Sequence, residues 1–311
     1  MGSQVLSLGD QRGPLADPYP TLTNHGEPKN FLKTALAWSG SVTPRVLPRV
    51  FASMFFSSIV VYTTNFVSDF GISITPFEYS GAVLGLLLVL RVNAGLDRWW
   101  EARKIWGSIV NQSRNLAIIG YQYSNSKFST GLEFLCWVAA FPHVMRESLR
   151  NEKRLAEVTK LVGMSDAELI RNSVHMPTYV GARIAKILQK LRKEGLDDFS
   201  FQRAERERAL LIDAIGACER IRNTPIPFVL AIKTRRFILL FLILLPFALV
   251  DRLEWLTPLV VSLAAYPLFS LDEIGAELQN PFSPRNLSHL PLGGICQTIE
   301  SNVMSLSESE G

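Results

Sequence analysis

Residues 237–250 of this chain read FILLFLILLPFALV, its most hydrophobic stretch, and WLTPLVVSLAAYPLFSL follows at 255–271. A second pair of apolar runs lies earlier, at 50–66 and 77–90, and holds a single charge, Glu78. A bilayer core about 30 Å thick is crossed by about 20 helical residues, with a usual range of about 17–25. These four runs predict four transmembrane helices.

The same runs could instead form the core of a large soluble protein. Their pairing argues against this interpretation, because the short loops at 67–76 and 251–254 turn each pair into a hairpin flanked by arginines. The runs at 77–90 and 237–250 need flanking residues to cross a bilayer. A fifth apolar stretch, at 131–145, predicts a buried or partly inserted helix that does not span.

The composition of the chain limits its function. It has 311 residues, of which 19% are charged, and a mean hydropathy of +0.17, which excludes a disordered chain, a collagen-like repeat or a disulfide-stapled miniprotein. Of its 32 Lys and Arg and 28 Asp and Glu, residues 91–236 hold 25 and 15, a local net charge of +10 against +4 overall. A basic block indicates nucleic acid or a membrane surface. The apolar runs on both sides favour the membrane, so we expect no nucleic-acid partner.

Lysine and arginine near the span ends indicate the orientation of the spans. Basic residues precede the first and third spans and follow the second, whereas the loop at 67–76 has none. We therefore expect both termini and the block at 91–236 to face the cytoplasm. Residues 1–29 contain no apolar core after a basic start, so no cleaved signal peptide is expected.

These patterns predict an all-α chain, since no alternating strand pattern is present. Its predicted segments are a weakly ordered arm at 1–29, a membrane part with two spans at 30–98, a helical cytoplasmic region at 99–232, two further spans at 233–271, a cytoplasmic cap at 272–302 and a flexible tail at 303–311. Within the cytoplasmic region, Ser165 and Glu168 predict a capping box at a helix start, and the prolines of TPIP at 224–227 predict a helix end.

The spacing of reactive residues predicts no enzyme, cofactor or metal site. The cysteines are far apart and lack C-x-x-C spacing, so we expect reduced thiols in apolar surroundings. They are Cys136, Cys218 and Cys296. The acidic residues Asp272, Glu273 and Glu277 could bind a cation, but such a cluster more often lies in solvent or pairs with nearby arginines.

The second predicted span contains a regular apolar stripe. Ala82, Leu86 and Leu90 recur every four residues and therefore lie on one face of a helix. Ordinary helix packing within the subunit would explain this stripe. The alternative places it on a symmetry axis, where copies of the chain would form a narrow apolar ring that gates ions by dewetting. Four spans are few for an aqueous pathway, so such a pore would lie between subunits.

Several segments resemble the bestrophin family, in particular its bacterial and plant-plastid branch. The strongest match is RVN at 91–93 followed by DRWWEAR at 97–103 and WG at 106–107. Further segments agree in order and spacing. They are GACER at 216–220 with TPIP at 224–227, LPFAL at 245–249, and DEIG at 272–275 with NPF at 280–282. The resemblance covers about residues 30–302.

The resemblance implies a homopentameric ion channel in a lipid bilayer, with one axial pore. It places the pore neck at Ala82, Leu86 and Leu90, the three positions counted back from Arg91. It also places a cytoplasmic aperture at Phe199. Two acidic residues, Asp197 and Asp198, would then lie beside that aperture in the vestibule.

The resemblance is incomplete after NPF. Animal bestrophins carry a calcium-binding acidic run there, whereas residues 283–288 read SPRNLS and hold no carboxylate, so we expect no calcium gating. The function expected is passive conduction of monovalent anions such as chloride, through the inner (plasma) membrane or a thylakoid-type membrane. A monovalent cation channel of the same architecture and a non-conducting membrane scaffold remain the alternatives.

Overall fold

The computed structural model describes residues 31–38, 40–64, 72–123 and 128–308. Within these ranges every regular element is helical, so the predicted all-α fold is confirmed. The α-helices are α1 (Phe31–Ala35), α2 (Thr43–Thr64), α3 (Thr75–Gln122), α4 (Phe128–Arg150), α5 (Ala156–Val162), α6 (Met164–Asn172), α7 (Met176–Lys193), α8 (Asp198–Asn223), α9 (Phe228–Leu253), α10 (Thr257–Glu277) and α11 (Leu292–Glu308). A 3-10 turn at Glu254–Leu256 joins α9 to α10. The predicted arm at 1–29 lies outside the described residues.

The four predicted spans pack together at one end of the molecule. We call this the apolar bundle, made of α2, residues 75–90 of α3, α9 and α10. It has two small buried clusters, one of Val46, Val50, Leu84, Leu88, Ile238, Leu242 and Ala265 and the other of Leu245, Leu249 and Val261. Among the described helices, α2 and α3 are long and apolar enough to cross a membrane by length and composition.

Helix α3 connects the apolar bundle to the rest of the molecule. Its 48 residues form one unbroken helix, about 72 Å long at 1.5 Å per residue. The predicted boundary at 98/99 therefore falls inside a helix, and the boundary at 271/272 falls inside α10. Residues 91–122 of α3, together with α4 to α8 and α11, form what we call the helical body.

The helical body is built around α4. Phe134, Trp137 and Phe141 of α4 are buried against Trp106 of α3, so the prediction of a buried helix at 131–145 is confirmed. Gly120 makes this contact close, because a Cβ there would lie 2.2 Å from a ring carbon of Phe134.

Two of the three cysteines are deeply buried in the body. Burial raises the pKa of the Cys218 and Cys296 thiols to about 12, so both are neutral thiols near pH 7. The predicted apolar surroundings of these two residues are confirmed.

Helix ends in the body agree with the sequence in one place and differ in two. Helix α8 ends at Asn223, directly before TPIP, as predicted. The capping box is wrong: α6 begins at Met164 behind Gly163, whose φ of +86° suits glycine, and Glu168 pairs with Arg171 instead. The flexible tail is wrong for residues 303–308, because α11 continues to Glu308 and its Val303 is buried in the core.

A buried ion pair fixes α3 against α10 where the apolar bundle meets the body. The Arg91 guanidinium lies 2.6 Å from Asp272 Oδ1, and both side chains are almost fully buried. Arg235 of α9 donates to the other carboxylate oxygen of Asp272 at 3.0 Å. Gly275 leaves room for Arg91, because a Cβ there would lie 3.2 Å from Arg91 Cγ. Three helices are therefore joined at one carboxylate.

Replacing Asp272 by Asn is expected to destabilise the protein by about 3–5 kcal/mol, because Arg91 would be buried without its counter-charge. The measurement is the shift in apparent Tm of the purified protein in detergent. Glu273→Gln is the matched control, with a smaller cost of about 1 kcal/mol, since its partners Arg45 and Arg49 are 42% and 47% exposed whereas Arg91 is buried. Equal shifts in the two variants would contradict the central role of the buried pair.

Candidate functional site

The apolar stripe on α3 lies on the surface of the subunit. Ala82, Leu86 and Leu90 are all exposed, Leu86 by 61% and Leu90 by 56%, whereas Leu84 and Leu88 point into the bundle core. Packing within the subunit therefore does not account for the stripe. Exposed leucines at regular spacing need cover from lipid, from another protein or from symmetry-related copies that enclose a narrow space.

The stripe ends at a charged layer. Arg91 follows Leu90 directly and is held by Asp272, so the last turn of the stripe is anchored to α10. The neighbouring carboxylates are also paired: Glu273 lies 3.1 Å from Arg49, and Glu277 contacts Arg45. The interpretation of the acidic cluster as a set of arginine partners is confirmed.

The predicted aperture residues lie together at the start of α8. The Asp197 carboxylate caps this helix by accepting hydrogen bonds from the backbone N–H groups of Phe199 (3.0 Å) and Ser200 (3.1 Å). A hydrogen bond with the Ser200 side chain, followed by those from the backbone N–H groups of Ser200 and Phe199, lowers the pKa of Asp197. Phe199 itself is 83% exposed, at the tip of the helical body.

Asp198 is also engaged by a specific partner. It accepts a hydrogen bond of 2.8 Å from Arg192 Nε of α7, and the Arg192 guanidinium stacks over the Phe201 ring at 5.0 Å. The two acidic groups beside Phe199 are therefore a helix cap and half of an ion pair, which reduces the negative charge they present to a passing ion.

The far end of α8 is held close to the apolar bundle by Arg98 of α3. Its guanidinium donates to the carbonyl oxygens of Ile221, of Thr224 (2.7 Å) and of Gln279 (3.2 Å). This places Phe199 about 33 Å along α8 from the Arg98 contact. The role of Arg98 is missing from the sequence prediction, because backbone carbonyls carry no residue signature that would identify them as partners.

Comparison with known proteins agrees with this architecture. A family model described as "Bacterial/Fungal Bestrophin protein" matches residues 23–305. The voltage-dependent anion channel-forming protein of Synechocystis sp. is 33% identical over 90% of this chain and 92% of its own length. The voltage-dependent anion channel-forming protein of Mesorhizobium japonicum is 34% identical over 88% of this chain and 89% of its own length.

Solved structures agree as well. The crystal structure of a bacterial bestrophin homologue from Klebsiella pneumoniae matches with a TM-score of 0.78 and 26% identity, over 85% of this chain and 98% of that one. A substituted form of that homologue matches with a TM-score of 0.77 and 27% identity, over 84% of this chain and 99% of that one. The family match and the curated relatives span almost the whole chain, and the predicted membership is confirmed: this protein belongs to the bestrophin family, in its bacterial and fungal branch.

Proposed function

We propose that this protein is a homopentameric channel that conducts monovalent anions such as chloride through a membrane, without calcium gating. The observation that carries this proposal is the exposed stripe of Ala82, Leu86 and Leu90. On a symmetry axis, these side chains would form three apolar rings one turn apart, a constriction that gates by dewetting. The fivefold symmetry rests on the resemblance to bestrophins.

The membrane arrangement proposed has four spans, α2, the start of α3, α9 and α10. At 1.5 Å per residue, α9 and α10 extend about 39 and 32 Å, but their uncharged parts, 237–250 and 257–271, extend only about 21 and 22 Å, so flanking residues must complete the crossing of a bilayer core of about 30 Å. Both helices also present leucines to the outside. Examples are Leu239, Leu240, Leu259 and Leu263. We place both termini in the cytoplasm and the channel in the inner (plasma) membrane or a thylakoid-type membrane.

Charge supports anions as the conducted species. Residues 91–236 carry a net charge of +10, and the curated relatives are named anion channel-forming proteins. Asp197 and Asp198 alone would favour a cation channel of the same architecture. Their capping and pairing contacts weaken that alternative.

Direct contacts hold the segment after NPF, which supports independence from calcium. Asn286 Nδ2 donates to the carbonyl oxygens of Glu277 and Asn280, both at 2.9 Å. The Glu277 carboxylate accepts the backbone N–H of Leu287 and contacts Arg45. These bonds provide the cross-links that a bound cation would otherwise supply.

The decisive experiment is a reversal potential. The purified protein, with its pentameric mass verified, is fused into a planar bilayer under an asymmetric KCl gradient without calcium. We expect a potential near the chloride equilibrium value. A potential near the potassium value would overturn the selectivity, and silent pentamers would favour a non-conducting scaffold.

The neck assignment predicts that Leu86→Ala and Leu90→Ala raise single-channel conductance at least about twofold, because shorter side chains widen and wet an apolar constriction. Leu263→Ala is the matched control, since it removes the same side chain from an exposed position of α10 that lies away from the stripe. Unchanged conductance in both leucine variants would contradict the placement of α3 at the pore axis.

The aperture assignment predicts a different effect for Phe199. Replacing Phe199 by Ala is expected to change the permeability ratio of iodide to chloride more than the total current, because an aromatic ring edge contacts large, weakly hydrated anions favourably. The ratio comes from bi-ionic reversal potentials. An unchanged iodide-to-chloride permeability ratio would show that Phe199 does not line the ion pathway.

A further inference from the structure

Helix α8 presents two arginines on the same face as Phe199. Arg203 and Arg206 follow Phe199 by four and seven residues, the spacing that keeps side chains on one face of a helix. Both are exposed. Arg208, nine residues from Phe199, lies on the opposite face and is paired with Glu205 at 2.8 Å.

This face of α8 lies on the same side of the subunit as the stripe on α3. Below Leu90 the stripe continues as exposed polar residues one turn apart: Asn93, Asp97, Glu101 and Lys104. The Glu101 carboxylate accepts a hydrogen bond of 3.1 Å from Arg220, which lies near the end of the exposed face of α8. A pathway that leaves the neck along α3 therefore passes along α8 toward Phe199.

We propose that Arg203 and Arg206 line the cytoplasmic vestibule between Phe199 and the neck and are its main anion-attracting groups. This inference rests on the proposed channel function. In the described part of the chain neither arginine forms an ion pair, so their charge is available to ions in the vestibule. In a pentamer they would form two adjacent rings of positive charge.

The acidic groups near this face offset that charge only in part. Asp197 caps the start of α8, and Asp198 is paired with Arg192. Asp213 lies on the same face of α8, but seven residues beyond Arg206, about 10 Å along the helix axis. That separation exceeds the Debye length of about 8 Å at physiological salt. Glu207 is half-buried and lies about 80° around the helix from Phe199, so the charges that face the pathway most directly are those of Arg203 and Arg206.

The test compares three variants in reversal-potential measurements under a low-salt KCl gradient. The double variant Arg203→Gln, Arg206→Gln is expected to lower the chloride-to-potassium permeability ratio at least about threefold, because the positive potential at the mouth is removed. Arg208→Gln loses the same charge from the opposite face and should leave the ratio unchanged. The double Lys variant keeps the charge and should also keep the ratio.

Salt provides a second readout that a purely structural effect would not produce. At about 1 M KCl the Debye length falls to about 3 Å, so the difference between wild type and the double Gln variant should largely disappear. An unchanged ratio at low salt, or an equal loss in Arg208→Gln or in the double Lys variant, would overturn this inference alone. A cation-selective or silent wild type would overturn the proposed function itself.

Discussion

The pairing of Arg91 with Asp272 is the contact on which the arrangement of the other elements depends. A guanidinium this deeply buried is stable only with a counter-charge, so α3 and α10 are held in one register at this level. Arg235 brings α9 to the same carboxylate. This charged layer begins at Arg91, directly after Leu90, so the last turn of the stripe is anchored by the ion pair.

Because α3 is one unbroken helix, the contact between Arg91 and Asp272 also helps to position residues far along it. A helix of 48 residues carries the apolar stripe at one end and the core residue Trp106 further along, so a displacement at Arg91 is passed to the helical body. Arg98, about two turns below Arg91, attaches the end of α8 by donating to its carbonyl oxygens. The proposed neck and the proposed aperture are thus connected through two helices, α3 and α8, rather than through a linker.

Much of this fold is predictable from the sequence, because apolar runs and proline stops act locally. The helices at 237–250 and 255–271 follow from hydropathy, and the end of α8 follows from the missing amide donors of TPIP. The start of α6 is not predictable from Ser165, because the left-handed backbone at Gly163 takes the cap position. For the site, periodicity identifies the stripe, but its exposure depends on which face the other helices cover. The prediction that Phe199 forms an aperture comes only from the family resemblance.

The net charge of a region is a poor guide to the field that an ion experiences, and the arginines of the helical body explain why. Arg146 is buried between Glu147 and Glu157, and Arg222 donates to the carbonyl oxygens of Ser148 and Leu149. Both guanidinium groups hold the body together; two carboxylates balance the charge of Arg146, and backbone carbonyl oxygens bind that of Arg222. In the proposed channel, only arginines that remain exposed on a face shared with the stripe can act on ions, so its selectivity would depend on the placement of a few charges rather than on the total of +10.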